Sequence, residues 1–257
     1  MNTPILSAAG IGMTFESASG PVEAIGNVSF DLREGEILAL VGPSGCGKTT
    51  LFNIITGLLA PSRGGITIAS DRAGQDVGYM LQKDLLLPWR SVIDNVILGL
   101  EVRGMARDKA RAIARDLIEA YGLKGFEDAR PGTLSGGMRQ RVAIMRTLAF
   151  DPAVVLLDEP FSALDFQTRT LLQQDVARII SERRKSAILI THDIGEAITM
   201  ADRILVLSNR PSTVIRTMDI QIPRDARDPV ALRSDQRYND YFVSIWQDLQ
   251  LPVVGAA

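Results

Sequence analysis

The run Gly42-Pro43-Ser44-Gly45-Cys46-Gly47-Lys48-Thr49-Thr50 has the residue types and spacing to hold a phosphate. It fits a glycine, four free positions, then Gly-Lys-Thr. The glycines let the backbone wrap until its N–H groups point inward at phosphate oxygens. A helix opening at Lys48 would add the positive end of its dipole. Lys48 would neutralise the β- and γ-phosphates, and the Thr49 hydroxyl would ligate Mg2+. Cys46 reads as a filler position within the loop.

A second chemical group ends an apolar run, Val154-Val155-Leu156-Leu157-Asp158-Glu159-Pro160. Asp158 at the strand end would hold Mg2+ through water. Glu159 would orient or deprotonate an attacking water, as hydrolytic phosphoryl transfer requires of one residue. His192, the only histidine, closes a third apolar run, Ile188–Thr191. Ligands of open α/β sheets bind at the carboxyl ends of the strands, which places His192 on the side of the phosphate loop.

The elements that carry these groups follow from the apolar pattern. Ile37–Val41, Val154–Leu157, Ile188–Ile190 and Ile204–Leu207 are short, unalternating and rich in Val, Ile and Leu. Parallel strands covered on both faces look like this. Helical spacing separates them, as in Leu51, Ile54, Ile55 and Leu58 after the phosphate loop. The class is α/β with a parallel sheet. Between Gln82 and Phe150 the strand signals stop. Ser91 with Asp94 resembles a capping box before Ile93, Val96, Ile97 and Leu100. A second pattern runs from Ala106 to Tyr121 and stops at Gly122. A third starts at Ser135. These predict a helical lobe inserted in the core. VEAIGNVSFDL before Gly35 predicts a strand, and Tyr238 to Leu249 a terminal helix.

The expected organisation is therefore threefold. Residues 1–82 and 147–210 form a nucleotide-binding α/β core with an N-terminal β subdomain. Residues 83–146 form the helical lobe, and 211–257 a C-terminal tail with a terminal helix. A chain of 257 residues is long enough to bury a substantial core. Its 28 Lys+Arg against 30 Asp+Glu argue against nucleic acid as a main partner. One cysteine excludes an intrachain disulfide and suits a reducing compartment. The opening MNTPILSAAG lacks the charged start and apolar stretch of a signal peptide. No apolar run approaches the ~20 residues of a membrane span. A membrane role would have to come through a partner.

One stretch, Leu134-Ser135-Gly136-Gly137-Met138-Arg139-Gln140-Arg141, holds no nucleophile, base or metal ligand. It reads as a second anion-type helix start in a chain that already has a phosphate loop. With GPSGCGKTT, Gln82, VVLLDEP, SALD (162–165) and Thr191-His192 in the same order and spacing, the chain resembles the ATP-binding subunit of ABC transporters. That resemblance covers most of the chain. It implies a P-loop NTPase (RecA-like) core with an N-terminal antiparallel β subdomain and the inserted helical lobe. It implies ATP and Mg2+, and two ATP-binding subunits packed head to tail, as a homodimer or with a second, different subunit. Ser135, Gly136 and Gly137 would then cap the γ-phosphate held by the other subunit. By the same resemblance Gln82 senses Mg2+ and the lytic water, Asp165 links the two sites, and His192 contacts the γ-phosphate. Phe15 matches the position that stacks on adenine, where the family usually has tyrosine.

Within the family, Leu85-Leu86-Leu87-Pro88-Trp89 and the following Val92-Ile93-Asp94-Asn95-Val96 look like importers of the nitrate/sulfonate/taurine type. The resemblance implies transmembrane permease subunits, a periplasmic or lipid-anchored solute-binding protein, and a place on the cytoplasmic face of the bacterial inner membrane. LLLPW is an apolar patch of the kind that marks partner sites. A thiamine-precursor pyrimidine is the alternative cargo. A soluble ABC ATPase without a transport role is the alternative class, disfavoured by the single cassette and by LLLPW. A small-molecule kinase would not need LSGGMRQR, and Glu159 after Asp158 favours water as acceptor.

Overall fold

A computed structural model describes residues 4–18, 20–69 and 77–250. Residues 1–3 and 70–76 of the expected core and 251–257 of the expected tail lie outside the described residues. In chain order the elements are β1 (Leu6–Phe15), β2 (Val22–Leu32), β3 (Ile37–Val41), α1 (Lys48–Ile55), β4 (Arg63–Ile68), β5 (Val77–Met80), α2 (Val92–Val96), α3 (Leu98–Val102), α4 (Arg107–Ala120), α5 (Gly136–Leu148), β6 (Val154–Asp158), α6 (Phe166–Glu182), β7 (Ser186–Thr191), α7 (Ile194–Met200), β8 (Arg203–Leu207), β9 (Ser212–Asp219) and α8 (Gln236–Gln250). The chain divides into two compact units, Met1–Asp71 with Ile180–Ala257, and Arg72–Ile179.

In the first unit the strands lie in the order β4-β1-β2-β9-β8-β3-β7. β3 pairs in parallel with β7 and β8, and every residue of the three is buried. Apart from Ser186, Thr191 and Arg203 at strand ends, Ile, Leu, Val and Ala fill both faces, so the pleat has no wet side. β1 pairs antiparallel with β2 and with β4, as the expected antiparallel β subdomain requires. α7 packs on β3 and β7, and α8 on α7 and β8. The end of β3 remote from the phosphate loop is pinned by charge. Asp202 accepts from the Ile37 N–H at 2.8 Å, and Arg203 pairs with Glu36 at 3.1 Å with both side chains buried. Burial raises the Glu36 carboxyl above the usual range, against hydrogen bonding from the Arg33 backbone and the charge of Arg203.

The second unit holds β5 and β6, paired in parallel, with α2 to α5 and most of α6. α5 packs against α2, α3, α4 and β5. Ser91 caps α2, accepting from the Asp94 N–H at 3.3 Å. The apolar pattern Ile93 to Leu100, expected as one helix, is broken into α2 and α3 with Ile97 between them. α4 stops as expected, with Gly122 in the left-handed region at φ 69°.

Candidate functional site

The first unit places the phosphate loop at the carboxyl end of β3. Two backbone turns shape it: Gly45 at φ 77° and Gly47 at φ 101°. Gly47 then caps α1, and the Leu51 N–H bonds back to the Gly47 carbonyl at 2.9 Å. The Lys48 ammonium is buried and already held at the loop mouth, donating to the Gly42 carbonyl at 2.7 Å and the Pro43 carbonyl at 2.9 Å. It lies 3.7 Å from Cys46 Sγ, and the thiol is buried. Cys46 fills space beneath the loop.

Gly47 cannot be exchanged cheaply. A Cβ there would sit 3.2 Å from Ile25 Cγ1 and 3.3 Å from the Ala24 carbonyl oxygen, on a backbone that L-residues avoid. Gly47→Ala is expected to cost about 1–2 kcal/mol, a fall in Tm of roughly 2–8 °C. It should also weaken nucleotide binding, because the N–H groups of the loop turn away from the phosphate. Thermal unfolding and binding of a fluorescent nucleotide test both parts.

His192 follows the last residue of β7, and Thr191 pairs with Val41, the last residue of β3. The two strands therefore deliver His192 and the phosphate loop to one sheet edge, as the strand order predicts. The imidazole is exposed. Phe15 ends β1 and is 38% exposed, an aromatic face open to solvent in the same unit.

The second unit assembles the acidic group. β6 ends at Asp158, which is 4% exposed, and Glu159 follows it in the left-handed region at φ 46°. A non-glycine residue there carries backbone strain of a kind found at functional sites. Gln82, two residues past β5, donates from Nε2 to Glu159 Oε2 at 2.9 Å. Tyr79 on β5 donates its phenol to Asp158 Oδ2 at 3.2 Å. Burial, then the neighbouring Asp158 charge, pushes that phenol well above its ordinary range, so Tyr79 remains a donor at any physiological pH. Sequence reasoning had nothing to say about Tyr79. One residue in VGYM has no periodic signal, and only the β5–β6 register puts it beside Asp158.

LSGGMRQR also falls in this unit. Ser135 is the N-cap of α5, accepting from the Met138 N–H at 3.3 Å, and no acidic residue occupies the first turn. The helix start is exposed at Ser135 and Gly136. Its positive end is therefore uncompensated and open. Gly137 is buried; a Cβ there would come within 2.5 Å of Thr168 Cγ2 on α6. Gln140 donates to the Pro160 carbonyl, tying α5 to the loop after Asp158. Asp165 caps α6 by accepting from the Thr168 N–H at 3.0 Å, which holds its carboxyl below the usual range.

Two arginines of α5 grip the segment after Gln82. Arg139 Nε meets Asp84 Oδ2 at 3.2 Å. Arg146 donates to the Leu85 carbonyl at 2.8 Å and the Asp84 carbonyl at 2.6 Å. LLLPW divides between core and surface. Leu86 is buried, whereas Leu85 is 53% and Trp89 68% exposed.

Gln82 and Asp158 in the second unit offer amide and carboxylate oxygens, and Thr49 in the first offers a hydroxyl; each is a hard oxygen donor of the kind Mg2+ takes. Among the described residues no group of three or more His, Cys, Asp or Glu could hold a metal by itself. Mg2+ commonly takes one or two carboxylates plus substrate phosphates. Mg2+ held by such donors would neutralise charge developing on a transferred phosphate.

A family model described as ABC transporter matches residues 25–162. The nitrate transport protein NasD of Klebsiella oxytoca is 40% identical over 243 residues, covering 92% of each chain. The taurine import ATP-binding protein TauB of Rhizobium johnstonii is 46% identical over 206 residues, covering 79% of each. Among solved structures, the dimeric ATP-binding cassette MJ0796 in a post-hydrolysis state with ADP and Pi matches with TM-score 0.74 and 29% identity, over 85% of this chain and 100% of that one.

Proposed function

This chain belongs to the ABC transporter family as one of its ATP-binding proteins, and from that premise we propose that it powers a bacterial importer for a small anion of the nitrate, aliphatic sulfonate or taurine type. The observation that carries the ATPase assignment is the pairing of a phosphate loop with an exposed, Ser135-capped anion-type helix start in one chain. A protein that only bound its own nucleotide would need the first and not the second.

In this reading Lys48 and the loop N–H groups, Gly42 to Thr50, hold the ATP phosphates, and Phe15 stacks on adenine. Glu159 activates water, with Gln82 and His192 reading the γ-phosphate end. Thr49, Gln82 and Asp158 hold Mg2+. Ser135, Gly136 and Gly137 close over the ATP of a second copy of the chain, and Asp165 links the two sites. Support for the dimer comes from the dimeric cassette of similar fold. Support for the cargo class comes from relatives named for nitrate and taurine transport. No described helix is long and apolar enough to cross a membrane. A permease would supply that part, with a solute-binding protein outside and this chain on the cytoplasmic face. Exposed Leu85 and Trp89 on residues 83–146, the helical lobe, form the permease-facing patch. Arg139 and Arg146 make that patch move with the helix that bears Ser135.

The test is a tagged pull-down from detergent-solubilised membranes of the native host, with mass spectrometry of partners and of any solute on a co-purifying binding protein. A multi-span membrane protein with a sulfonate- or nitrate-loaded binding protein is the expected result. A pyrimidine on the binding protein would replace the cargo class. A soluble complex without a membrane partner would overturn the transport role.

A further inference from the structure

We propose that Tyr79 is a positioning residue for Asp158, its hydroxyl fixing the orientation in which that carboxylate serves the magnesium ion of bound ATP. The inference rests on the reading of Asp158 as a metal-holding group.

The register makes the contact a product of the sheet. β5 and β6 run in parallel with Tyr79 opposite Leu156 and Met80 opposite Leu157. Side chains alternate with a period of two, so Asp158 shares a face with Leu156 and hence with Tyr79. Tyr79 stands two residues short of the level of Asp158, and its long ring spans that step to place the hydroxyl 3.2 Å from Oδ2. A residue with a shorter side chain at this position would not reach.

The hydroxyl has a reason to be there beyond packing. Asp158 is 4% exposed, and a carboxylate so deeply buried is stable only when hydrogen-bonded. Its terminal torsion is broad and roughly two-fold, so the donors that its oxygens meet set their orientation, and the Tyr79 hydroxyl is one of these donors. A donor bound to one oxygen selects one orientation. Partners of this type around metal-holding carboxylates are worth about 10- to 100-fold in metal affinity. Phenylalanine would fill the same space in β5 without this donor. The distinction therefore lies in one oxygen atom, and the experiment can isolate it.

The test compares the full-length parent, Tyr79→Phe, Tyr79→Met and Asp158→Asn. Free Mn2+ is measured by electron paramagnetic resonance during titration of each protein with a non-hydrolysable ATP analogue. Analogue affinity is measured separately in EDTA. Tyr79→Phe and Tyr79→Met are each expected to weaken Mn2+ binding about tenfold, with metal-free analogue affinity within twofold of the parent. Mn2+ affinity within twofold of the parent in both hydroxyl-lacking variants would overturn the proposal. So would an equal loss of metal-free nucleotide affinity, which marks a general structural defect. The Asp158→Asn arm separates the two layers. If it loses Mn2+ binding while the Tyr79 variants do not, only the role of Tyr79 falls. If it binds Mn2+ like the parent, the reading of Asp158 falls and takes this inference with it.

Discussion

Glu159→Gln is expected to bind ATP normally, to turn it over roughly 100- to 10,000-fold more slowly than the parent, and to accumulate as an ATP-bound dimer. The substitution is nearly isosteric. Gln82 donates to Glu159 Oε2 at 2.9 Å, and a glutamine at 159 still offers an amide oxygen there. The left-handed backbone at φ 46° is no harder for glutamine than for glutamate. What disappears is the negative charge that polarises and orients water. In the proposed site nucleotide binding rests on other groups, chiefly the Lys48 ammonium, which is already seated on the Gly42 and Pro43 carbonyls. The unhydrolysed γ-phosphate then persists, and two copies remain closed around it. Steady-state phosphate release and light scattering under saturating Mg-ATP read the two parts. Turnover within tenfold of the parent would remove Glu159 from the chemistry. A slow mutant that stays monomeric would keep the base and sink the composite site.

The parts of this molecule that were legible in the sequence are those whose physics is local. β3 and the phosphate loop can be read from ILALVGPSGCGKTT because a buried parallel strand and a glycine-shaped turn are each written in consecutive residues. The Val22–Leu32 strand and the stop of α4 before Gly122 belong to the same kind. β4 was not expected. It lies at the end of the strand order, with Gly64 and Gly65 inside it and no fully buried residue. β9 begins just past Pro211 and is largely exposed, so nothing in STVIRTMD alternates cleanly. β1 is interrupted by register shifts between Ala8 and Thr14, which erase its period. The site divides in the same way. Lys48, Asp158 and Glu159 announce themselves by spacing. The grip of Arg139 and Arg146 on Asp84 and Leu85 joins residues about sixty positions apart, and no local pattern encodes it.

Ser135→Arg is expected to abolish steady-state ATP hydrolysis while leaving the ATP affinity of the isolated subunit within about twofold, because in the proposed composite site the residue serves a nucleotide held by the second subunit. Ser135 is exposed at the open start of α5, and its hydroxyl takes the Met138 N–H at 3.3 Å. Losing that cap costs about 1 kcal/mol, and a guanidinium at the positive end of the dipole adds a few tenths more. These penalties are small beside the stability of a domain of this size. α5 is also held by Gln140 on the Pro160 carbonyl and by the two arginines on the segment after Gln82. The fold should therefore survive, which circular dichroism and a Tm within a few degrees of the parent would confirm. The side chain itself is the obstacle. Arginine is far bulkier than serine and would occupy the space that the γ-phosphate enters in the proposed composite site. Combined with Glu159→Gln, the substitution should prevent the ATP-bound dimer from forming at all. A double variant that still dimerises would show that Ser135 does not face the second nucleotide. A large loss of affinity in the monomer would instead place Ser135 in its own chain's site, and the second helix start would need a different explanation.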